Sequence, residues 1–307
     1  MKLLFFSGGT GTPKLLEGMS TLINESNIDV VCNTGDDFKW NSLHISPDLD
    51  TVLYLFSNKL DLRKYWGRKN ETFHALETLE SLEEPVWFKV GDRDLGLHVF
   101  RSHLLEQGKR LTEITNNVRL KWGIQAGVYP MADQPVTTLI RTLEGQIHFQ
   151  EYFVKYQTNV EVQDVIFSGS NQADMPKEVS TALDTAHSVI IGPSNPITSI
   201  GPILSIPAYH SWFSNRKKKV IAVSPMIGNQ AFSGPTGKLM EAMGFAKSPL
   251  GLGQRYQGLI DILVLDDADR SFSKEISDYG IEPVFTNISM KDIHEKTNLA
   301  KFILDLI

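Results

Sequence analysis

A glycine-rich segment near the start of the chain carries residue types that bind phosphate. Ser7-Gly8-Gly9-Thr10-Gly11 follows four apolar residues and precedes an amphipathic run that begins at Pro13. Glycines let a backbone approach an anion closely, and the N–H groups and dipole of a following helix attract negative charge. Thr12 is suited to cap that helix, and Lys14 adds a full positive charge. The segment therefore predicts a phosphate site.

The two common phosphate motifs do not fit this segment. A dinucleotide motif requires G-x-G-x-x-G, and in the frame that starts at Gly9 the third glycine is replaced by Lys14. A Walker loop requires Gly-Lys-Ser/Thr after four intervening residues, and that pattern is missing from the segment. These departures disfavour a nicotinamide-dependent oxidoreductase, and they do not identify which phosphorylated ligand binds here.

A second loop repeats the arrangement later in the chain. In VIIGPSNPITSIGPIL an apolar run ends at Ile191, and Ser194 and Asn195 follow before the next helical pattern. Their hydroxyl and amide groups are hydrogen-bond donors at the end of a predicted strand. Two anion sites at neighbouring strand ends suit a diphosphate better than a monophosphate. The alternative is that these two residues only cap a helix.

Four carboxylates lie within fifteen residues of one another after the second apolar run. Asp36 and Asp37 occur in NTGDDF, and Asp48 and Asp50 occur in HISPDLDTVLY. Carboxylates beside a bound phosphate hold Mg²⁺ or orient a hydroxyl nucleophile. Asp48 and Asp50 are also good capping residues for the helix predicted at 49–57. The residues alone do not decide which carboxylate has which role.

A third polar segment, FKVGDRDLGLHVFR, is interpreted as a mixed charged loop around Lys89, Asp92, Arg93 and Asp94. A network of ion pairs within this segment is the alternative to a binding role. His98 and His103 are five residues apart, which is not the spacing of a helical metal site. No Ser-His-Asp nucleophile elbow occurs. The residues favour chemistry by positioned phosphates and a metal ion over acyl transfer.

The elements that must position these residues alternate along the chain. Strands are predicted at 2–6 and 28–33, helices at 13–25 and 49–57, and a loop at 34–47. The runs SVIIG, KVIAV, DILVL and EPVF each precede a loop and a helical pattern. Such alternation predicts an α/β fold, a Rossmann-like doubly wound sheet that is mainly parallel. Residues 70–122 are mostly helical in pattern, and several β-rich runs follow within 124–167. We therefore expect a mixed helical and antiparallel insertion at 69–165, between core halves 1–68 and 166–307.

Composition excludes several classes of protein. The chain has 307 residues and a net charge of −6, which argues against nucleic acid as a partner. One cysteine, Cys32, excludes an intrachain disulfide and a cysteine-rich zinc site. No apolar run approaches membrane-spanning length, and no signal peptide is recognised. We expect a cytoplasmic protein with no membrane partner, and a homodimer is plausible.

Together these motifs resemble the 2-phospho-L-lactate transferase family (CofD). SGGTGTPKLLEG, NTGDD, ISPDLDT, GDRDLGLH, LTEIT, VYPMADQPVTT, FQEYFV, GPSNPITSIGPIL and SPMIGNQAFSGP occur in the family's order. The resemblance runs from residue 3 to about residue 270 and is closest to archaeal members. It implies a Rossmann-like core with an insertion. It also implies transfer of a phospholactyl group from lactyl diphosphoguanosine to the ribityl hydroxyl of the deazaflavin Fo, with release of GMP. This reaction would be a step of coenzyme F-420 biosynthesis and would require Mg²⁺.

The resemblance also implies site residues. The donor phosphates and the GDP moiety would be held by Gly8, Gly9, Thr10, Gly11, Lys14, Ser194 and Asn195. Asp50, Lys89 and Arg93 would contact Fo, and Asp50 would orient or deprotonate the attacking hydroxyl. Asp37 and Asp48 are the expected metal ligands.

The chain departs from the family pattern at one segment, and one related group of proteins offers an alternative function. The segment PMADQP has Ala132 and Gln134 where many members have threonine and aspartate. A sister group of gluconeogenesis-factor proteins shares the glycine and NTGDD-like loops, and it binds nucleotide sugars or dinucleotides as a regulator without transfer. The stretch from ISPDLDT to GDRDLGLH, where the acceptor would bind, is intact and favours the enzyme.

Overall fold

The fold was analysed in a computed structural model, which describes residues 1–232 and 234–307. Within these residues the strands, in chain order, are β1 Leu3–Ser7, β2 Ile28–Cys32, β3 Phe38–Trp40, β4 Leu43–Ile45, β5 Gly127–Pro130, β6 Thr137–Thr142, β7 Gly145–His148, β8 Asp164–Ser168, β9 Ser188–Ile191, β10 Val220–Val223, β11 Met226–Ile227, β12 Gln230–Ala231, β13 Ile262–Leu265 and β14 Glu282–Phe285.

The α-helices in the same part of the chain are α1 Gly11–Met19, α2 Pro47–Phe56, α3 His74–Ser81, α4 Asp92–Glu106, α5 Leu111–Lys121, α6 Lys177–Thr185, α7 Gly201–Ser205, α8 Pro207–Asn215, α9 Thr236–Ala242, α10 Pro249–Tyr256, α11 Ser273–Ser277 and α12 Ile293–Asp305. None of the helices in the described residues combines the length and the apolar character needed to cross a membrane.

The main sheet confirms the predicted α/β, doubly wound architecture. Seven strands lie in the order β14-β13-β10-β9-β1-β2-β5, and every pairing between them is parallel. The strands predicted from SVIIG, KVIAV, DILVL and EPVF are β9, β10, β13 and β14. Each ends at a loop that leads toward a helix, as parallel connections require.

Alternating side chains of β1 explain how the sheet is covered on both faces. Leu3 and Phe5 belong to one apolar core, whereas Leu4 and Phe6 belong to the other, and all four are fully buried. Successive strand residues point to opposite faces, so a run of four apolar residues fits only a strand with helices on both sides. Full burial of each such side chain contributes about 1.5–3 kcal/mol.

The course of the chain reverses between β1 and β9. From β1 the chain adds β2 and then β5 on one side, and later it returns to add β9, β10, β13 and β14 on the other. Phe5 thus lies between Val30 of β2 and Ile190 of β9. In such sheets the loops after the two strands diverge at this switch point and leave a crevice where ligands bind.

Several predicted boundaries differ from those observed. The helix predicted at 13–25 spans Gly11–Met19, and the loop predicted at 34–47 contains the β3–β4 hairpin. The charged segment around Asp92 was interpreted as a loop, but Asp92 is the first residue of α4. These differences reflect contacts from distant segments, since the hairpin packs with Leu76 of α3 in a small separate core.

The predicted insertion contains the expected antiparallel element. Strands β7, β6 and β8 form a three-stranded antiparallel sheet, and the EYFVK segment between β7 and β8 is a π-helical turn rather than a strand. The division into 1–68, 69–165 and 166–307 stays a prediction. Part of its middle segment, strand β5, pairs with β2 at one edge of the main sheet.

Candidate active site

A cavity of about 860 Å³ lies at the carboxyl end of the main sheet, at the switch point between β1 and β9. Its lining brings together most residues predicted for the donor, the acceptor and the metal ion: Gly8, Gly9, Thr10, Gly11, Asp48, Asp50, Lys89, Ser194 and Asn195. These residues are spread over 187 positions of the chain, from Gly8 to Asn195, and converge because the parallel strands end at one edge. The cavity is therefore the candidate active site.

The glycine segment is shaped by close contacts with the loop after β9. Gly9 has φ = +58°, a left-handed conformation that favours glycine. A Cβ atom on Gly11 would overlap the carbonyl oxygen of Pro193, so the two loops meet backbone to backbone. Helix α1 begins at Gly11 without a side-chain cap, and its first-turn N–H groups have no intrahelical acceptor. This geometry suits an anion.

Hydrogen bonds of Ser194 and Thr12 connect the loop after β9 to the glycine segment and the first turn of α1. The prediction that Thr12 caps α1 is wrong, because the helix begins at Gly11 and already includes Thr12. The Thr12 Oγ1 atom lies 2.7 Å from Ser194 Oγ instead. The Ser194 hydroxyl donates to the Gly8 carbonyl oxygen, and both hydroxyls are buried. Since its proton is already engaged, Ser194 fixes the spacing of the loops rather than offering a free hydroxyl donor.

Asn195 combines a capping role with a free donor. Its Oδ1 atom accepts hydrogen bonds from the N–H groups of Ile197 at 2.9 Å and Thr198 at 3.3 Å. The capping alternative considered for this residue is therefore the observed role of its oxygen. The Nδ2 group donates to no other group in residues 1–232 and 234–307, and it belongs to a residue that lines the cavity.

Asp48 contacts the glycine segment directly. Its Oδ1 atom accepts from the Gly9 N–H at 2.7 Å, and its Oδ2 atom accepts from Asn33 Nδ2 at 2.9 Å. Burial raises the pKa of Asp48 to about 6, against the opposing effect of these two hydrogen bonds. Burial also raises the pKa of Asp36 well above its ordinary value, and the nearby charge of Asp48 raises it further. Two buried carboxylates with raised pKa values thus line the large cavity, and one of them contacts the glycine segment.

Asp37 does not share this environment. Its carboxylate accepts from the Ser46 hydroxyl at 2.8 Å and lies 2.9 Å from His44 Nε2. Asp37 lines a second cavity of about 650 Å³, whereas Asp48 lines the large one. The structure therefore places the two predicted metal ligands in different cavities.

Asp50 is held in a buried cluster at the cavity wall. Arg101 donates from both Nη atoms to its carboxylate, one at 3.1 Å, and both side chains are almost fully buried. His98 lies between Asp50, at 3.7 Å, and Asp94, at 3.4 Å. Burial raises the pKa of Asp50, although Arg101 and His98 oppose the increase. The arrangement fixes the position of the Asp50 carboxylate.

Asp50, Asp94 and His98 each offer a ligand atom within 4.8 Å of the others, so this group could hold a metal ion. The spacing of the histidines gave no sign of it. Arg101 already engages both oxygens of Asp50, however, and its positive charge opposes a second cation at the same carboxylate.

Sequence reasoning missed Arg101, although a signal was present. Asp94, His98 and Arg101 follow one another at intervals of four and three residues, which places them on one face of α4. Polar side chains repeated along one helical face, next to an apolar face, indicate a buried polar site.

The three cationic residues that were predicted to contact a ligand lie in different surroundings. Lys89 is exposed and lines the large cavity. Arg93 is exposed and does not line the cavity, and its backbone N–H donates to Glu71. Lys14 is also absent from the lining, because its Nζ atom lies 5.3 Å from the centroid of the Tyr65 ring. Of the three, the structure supports only Lys89 as a contact for a ligand in this cavity.

Aromatic side chains form two walls of the large cavity. One wall comes from the segment between β4 and α4 and consists of Trp66, Phe73, Trp87 and Phe88. The other contains Phe149 and Phe153, whose rings stack with centroids 5.7 Å apart. Flat ring systems stack on such surfaces. The substituted residues Ala132 and Gln134 line only the second cavity, so this departure does not alter the large one.

Comparison with known proteins agrees with this geometry. The model of the family described as 2-phospho-L-lactate transferase CofD matches residues 3–301. Proteins named 2-phospho-L-lactate transferase from Methanosarcina acetivorans and Methanococcoides burtonii are 41% and 42% identical to this chain. Each match covers 99% of this chain, and 98% and 99% of the respective relative. One from Methanocaldococcus jannaschii is 39% identical, over 97% of this chain and 96% of the relative.

A solved structure supports the fold independently. A member of the upf0052 family from Bacillus halodurans superposes with a TM-score of 0.66 over 99% of this chain and 98% of that one, at 15% identity. At that identity the likeness concerns the fold alone. The family match and the three archaeal relatives span nearly the full chain, and most of the motifs that carry the resemblance contribute residues to its main cavity. The chain therefore belongs to the 2-phospho-L-lactate transferase CofD family.

Proposed function

We propose that the protein transfers a 2-phospho-L-lactyl group from lactyl diphosphoguanosine to the terminal ribityl hydroxyl of Fo and releases GMP. Family membership supports the reaction, which is a step of coenzyme F-420 biosynthesis. The observation that carries the proposal for this chain is the shared cavity. The glycine segment, which suits phosphate, and Asp50 and Lys89, which the family resemblance assigns to the acceptor, line one space of about 860 Å³.

The donor would lie across the switch point. Its diphosphate fits between the glycine segment Gly8–Gly11 and Asn195, where first-turn N–H groups of α1 and the Asn195 Nδ2 group supply donors. Ser194 keeps the two loops at the required separation. Lys14 is left out of this assignment because its side chain packs on Tyr65.

The acceptor would occupy the opposite side, against the aromatic wall that includes Trp87 and Phe88. Its ribityl chain would then run toward Asp50, whose carboxylate Arg101 holds in place. Lys89 would contact Fo or meet negative charge that develops on the phosphoryl oxygens. Arg93 is left out because its side chain is exposed away from the cavity.

The chemistry is a displacement at phosphorus. The ribityl oxygen forms a bond to the phosphorus that bears lactate, the bond from that phosphorus to the oxygen bridging to GMP breaks, and the hydroxyl proton passes to Asp50. Positioning and electrostatic stabilisation provide most of the catalysis in such transfers. A bound Mg²⁺ would neutralise charge on the phosphates. The carboxylates of Asp36 and Asp48 line the same cavity, so they fit such an ion better than the predicted pair of Asp37 and Asp48, which line different cavities.

A direct assay tests the proposal. Purified protein is mixed with Fo, lactyl diphosphoguanosine and Mg²⁺, and the fluorescent product is followed by chromatography, with and without EDTA. We expect product that depends on Mg²⁺. Binding of Fo without product would indicate a different activated donor. Absence of both product and Fo binding would contradict the proposal and turn attention to nucleotide binding without transfer.

A further inference from the structure

His98 is a buried polar side chain without an assigned role in the proposed reaction. It is almost completely buried, and it lines the large cavity close to Asp50. Neither of its ring nitrogens has a hydrogen-bond partner within residues 1–232 and 234–307. A buried donor or acceptor left without a hydrogen bond is costly and therefore requires an explanation.

The two ring nitrogens of His98 face two different carboxylates. The Nδ1 atom lies 3.7 Å from Oδ2 of Asp50, and the Nε2 atom lies 3.4 Å from Oδ1 of Asp94. Ionised carboxylates only accept hydrogen bonds, so the imidazole is suited to donate on both sides. Both distances exceed those of a good N–H···O bond. Such contacts at catalytic sites are often long in the free protein and shorten when substrate binds.

Two helices hold this group of residues in place. Asp50 and Tyr54 are four residues apart on α2 and share one face of that helix. Asp94 and His98 have the same spacing on α4. The Tyr54 hydroxyl donates to Asp94 and thereby connects the two helices. Since Arg101 holds Asp50 as well, His98 lies between two carboxylates that are fixed in position.

The contacts of Asp50 distinguish its two oxygens. Arg101 donates to Oδ2 from Nη1 at 3.1 Å and to Oδ1 from Nη2. The Nδ1 atom of His98 approaches Oδ2. Each carboxylate oxygen offers about two acceptor positions, so a hydrogen bond from His98 would occupy Oδ2 fully and leave one position on Oδ1. Oδ1 is then the oxygen available to a ligand in the cavity.

We propose that His98 is a positioning residue for the transfer: in the substrate complex its Nδ1–H group donates to Oδ2 of Asp50, which leaves Oδ1 to accept the ribityl hydroxyl. The inference rests on the proposed function. Asp94 accepts from the Nε2–H group and keeps the imidazole ring in this orientation. His98 itself touches no reacting atom, so its removal should slow the transfer rather than weaken the binding of either substrate.

Two substitutions of His98 separate its two contacts, because each retains a nitrogen near one of the original positions. The Nδ2 atom of asparagine replaces Nδ1 and can still donate to Asp50, whereas the Nε2 atom of glutamine replaces Nε2 and can reach Asp94. We expect His98→Asn to keep kcat within about fivefold of the wild type and His98→Gln to lower it about 10- to 100-fold. The KM values for Fo and lactyl diphosphoguanosine should stay within about twofold in both variants.

His103→Gln is the matched control. His103 lies on the same helix, is exposed, does not line the cavity and bonds to Gln107. This change should leave both kcat and KM unchanged. The thermal stability of every variant is measured as well, since a role in the fold alone would lower the stability of both His98 variants without separating their kcat values.

Asp94→Asn tests the same link through the other partner. It removes the charged acceptor that orients the His98 ring, and kcat should fall about tenfold or more. Combined with His98→Gln, the loss should be far smaller than the product of the two single effects, because both changes break one chain of contacts. This variant keeps the proposal testable if His98→Gln fails to fold, and a near-normal kcat for Asp94→Asn would contradict it.

The possible results separate this inference from the proposed function. If the wild type forms product and His98→Gln is nearly normal, or if His98→Asn is as slow as His98→Gln or slower, the positioning role is overturned and the proposed function stands. A raised KM for Fo with unchanged kcat would also overturn it, since His98 would then contact the acceptor directly. Absence of product with the wild type would instead overturn the proposed function.

Discussion

Arg101 of helix α4 donates from both guanidinium nitrogens to the carboxylate of Asp50 in helix α2, and both side chains are almost completely buried. The contact joins residues 51 positions apart at the wall of the large cavity. Bidentate pairs of this kind fix orientation as well as charge. Asp50 is therefore held in a fixed orientation at the cavity wall, and its position depends on a residue in another helix.

Replacement of Asp50 by asparagine tests its proposed role directly. The change removes the negative charge and the proton acceptor while it nearly preserves the shape. We expect transfer to fall by about 10²-fold or more, the usual contribution of a positioned acid or base. GDP affinity should stay within about twofold of the wild type. Near-normal turnover would show that Asp50 serves the structure of helix α2 instead.

A double-mutant cycle measures how strongly the buried pair is coupled. Asp50→Asn leaves a buried guanidinium without its carboxylate, and we expect a loss of about 3–5 kcal/mol in the free energy of unfolding. Asp50→Asn combined with Arg101→Met should be more stable than Asp50→Asn alone, because the unpaired charge is removed. Urea unfolding monitored by circular dichroism provides the values, and additive losses would contradict the coupling.

Gly11→Ala tests the contact between the two loops at the switch point. Its added methyl would overlap the Pro193 carbonyl oxygen, so we expect the free energy of unfolding to fall by about 1–3 kcal/mol. Gly96→Ala is the control, since Gly96 lies within α4 and no heavy atom would contact its Cβ. That change should stabilise the protein by about 0.5–1 kcal/mol. Equal effects in the two variants would refute the packing argument.

Trp87→Leu tests where the deazaflavin binds. Trp87 lines the large cavity and also the second one, and it stacks on Phe38 with ring centroids 5.7 Å apart. We expect about tenfold weaker Fo binding by fluorescence titration, since aromatic stacking contributes about 0.5–1.5 kcal/mol beyond buried area. GDP affinity should not change. Phe153→Leu changes the other aromatic pair of the cavity lining and is the control; it should leave Fo binding intact, and the reverse result would place Fo against Phe153.

The ion pair of Glu178 and Arg110 predicts how stability changes with pH. Arg110 donates to Glu178 at 2.9 Å and thereby lowers the pKa of that carboxyl group. A lowered pKa in the folded state means that the stabilisation is present above the ordinary glutamate pKa of about 4.3. It is lost as the pH falls through the lowered value. Because both side chains are partly exposed, the effect should stay below about 1 kcal/mol.

Unfolding free energies of the wild type and Glu178→Gln, measured from pH 7 to pH 3, check this prediction. The difference should be present at pH 7 and shrink below about pH 4. Glu84→Gln removes an exposed carboxylate that forms no ion pair within the described residues, and it should show no such trend. A difference for Glu178→Gln that grows in acid would have the wrong sign.

The sequence predicted the sheet well because its signals are local. Apolar runs such as Leu3–Ser7 and Ile262–Leu265 are followed by polar loops, and their period and length are sufficient to identify buried parallel strands. The glycine segment and the loop with Asn195 were likewise recognisable from residues within a few positions of each other. Their meeting at one edge then follows from parallel pairing.

The side-chain partners could not be predicted in the same way. Lys14 stands at the start of helix α1, where a phosphate contact was reasonable, but Tyr65 from a distant loop lies beneath its ammonium group. Asp36 and Asp37 are adjacent in sequence, and either carboxylate could bind a metal ion as far as the sequence shows. Only the chain fold directs one to the large cavity and the other toward His44. Such choices depend on residues 7 to 51 positions away, beyond any periodic pattern.

The hydrogen bond from Ser194 to the Gly8 carbonyl joins segments 186 residues apart in the chain. Neither 1–165 nor 166–307 alone carries the whole of the proposed donor site, since Gly8–Gly11 belong to the first segment and Asn195 belongs to the second. A protein cut between these halves would regain binding only if the two fragments reassembled. The chain between β2 and β9 can therefore be viewed as a long loop closed at its base by this hydrogen bond, so a change within it leaves this contact in place as long as β1 and β9 stay paired.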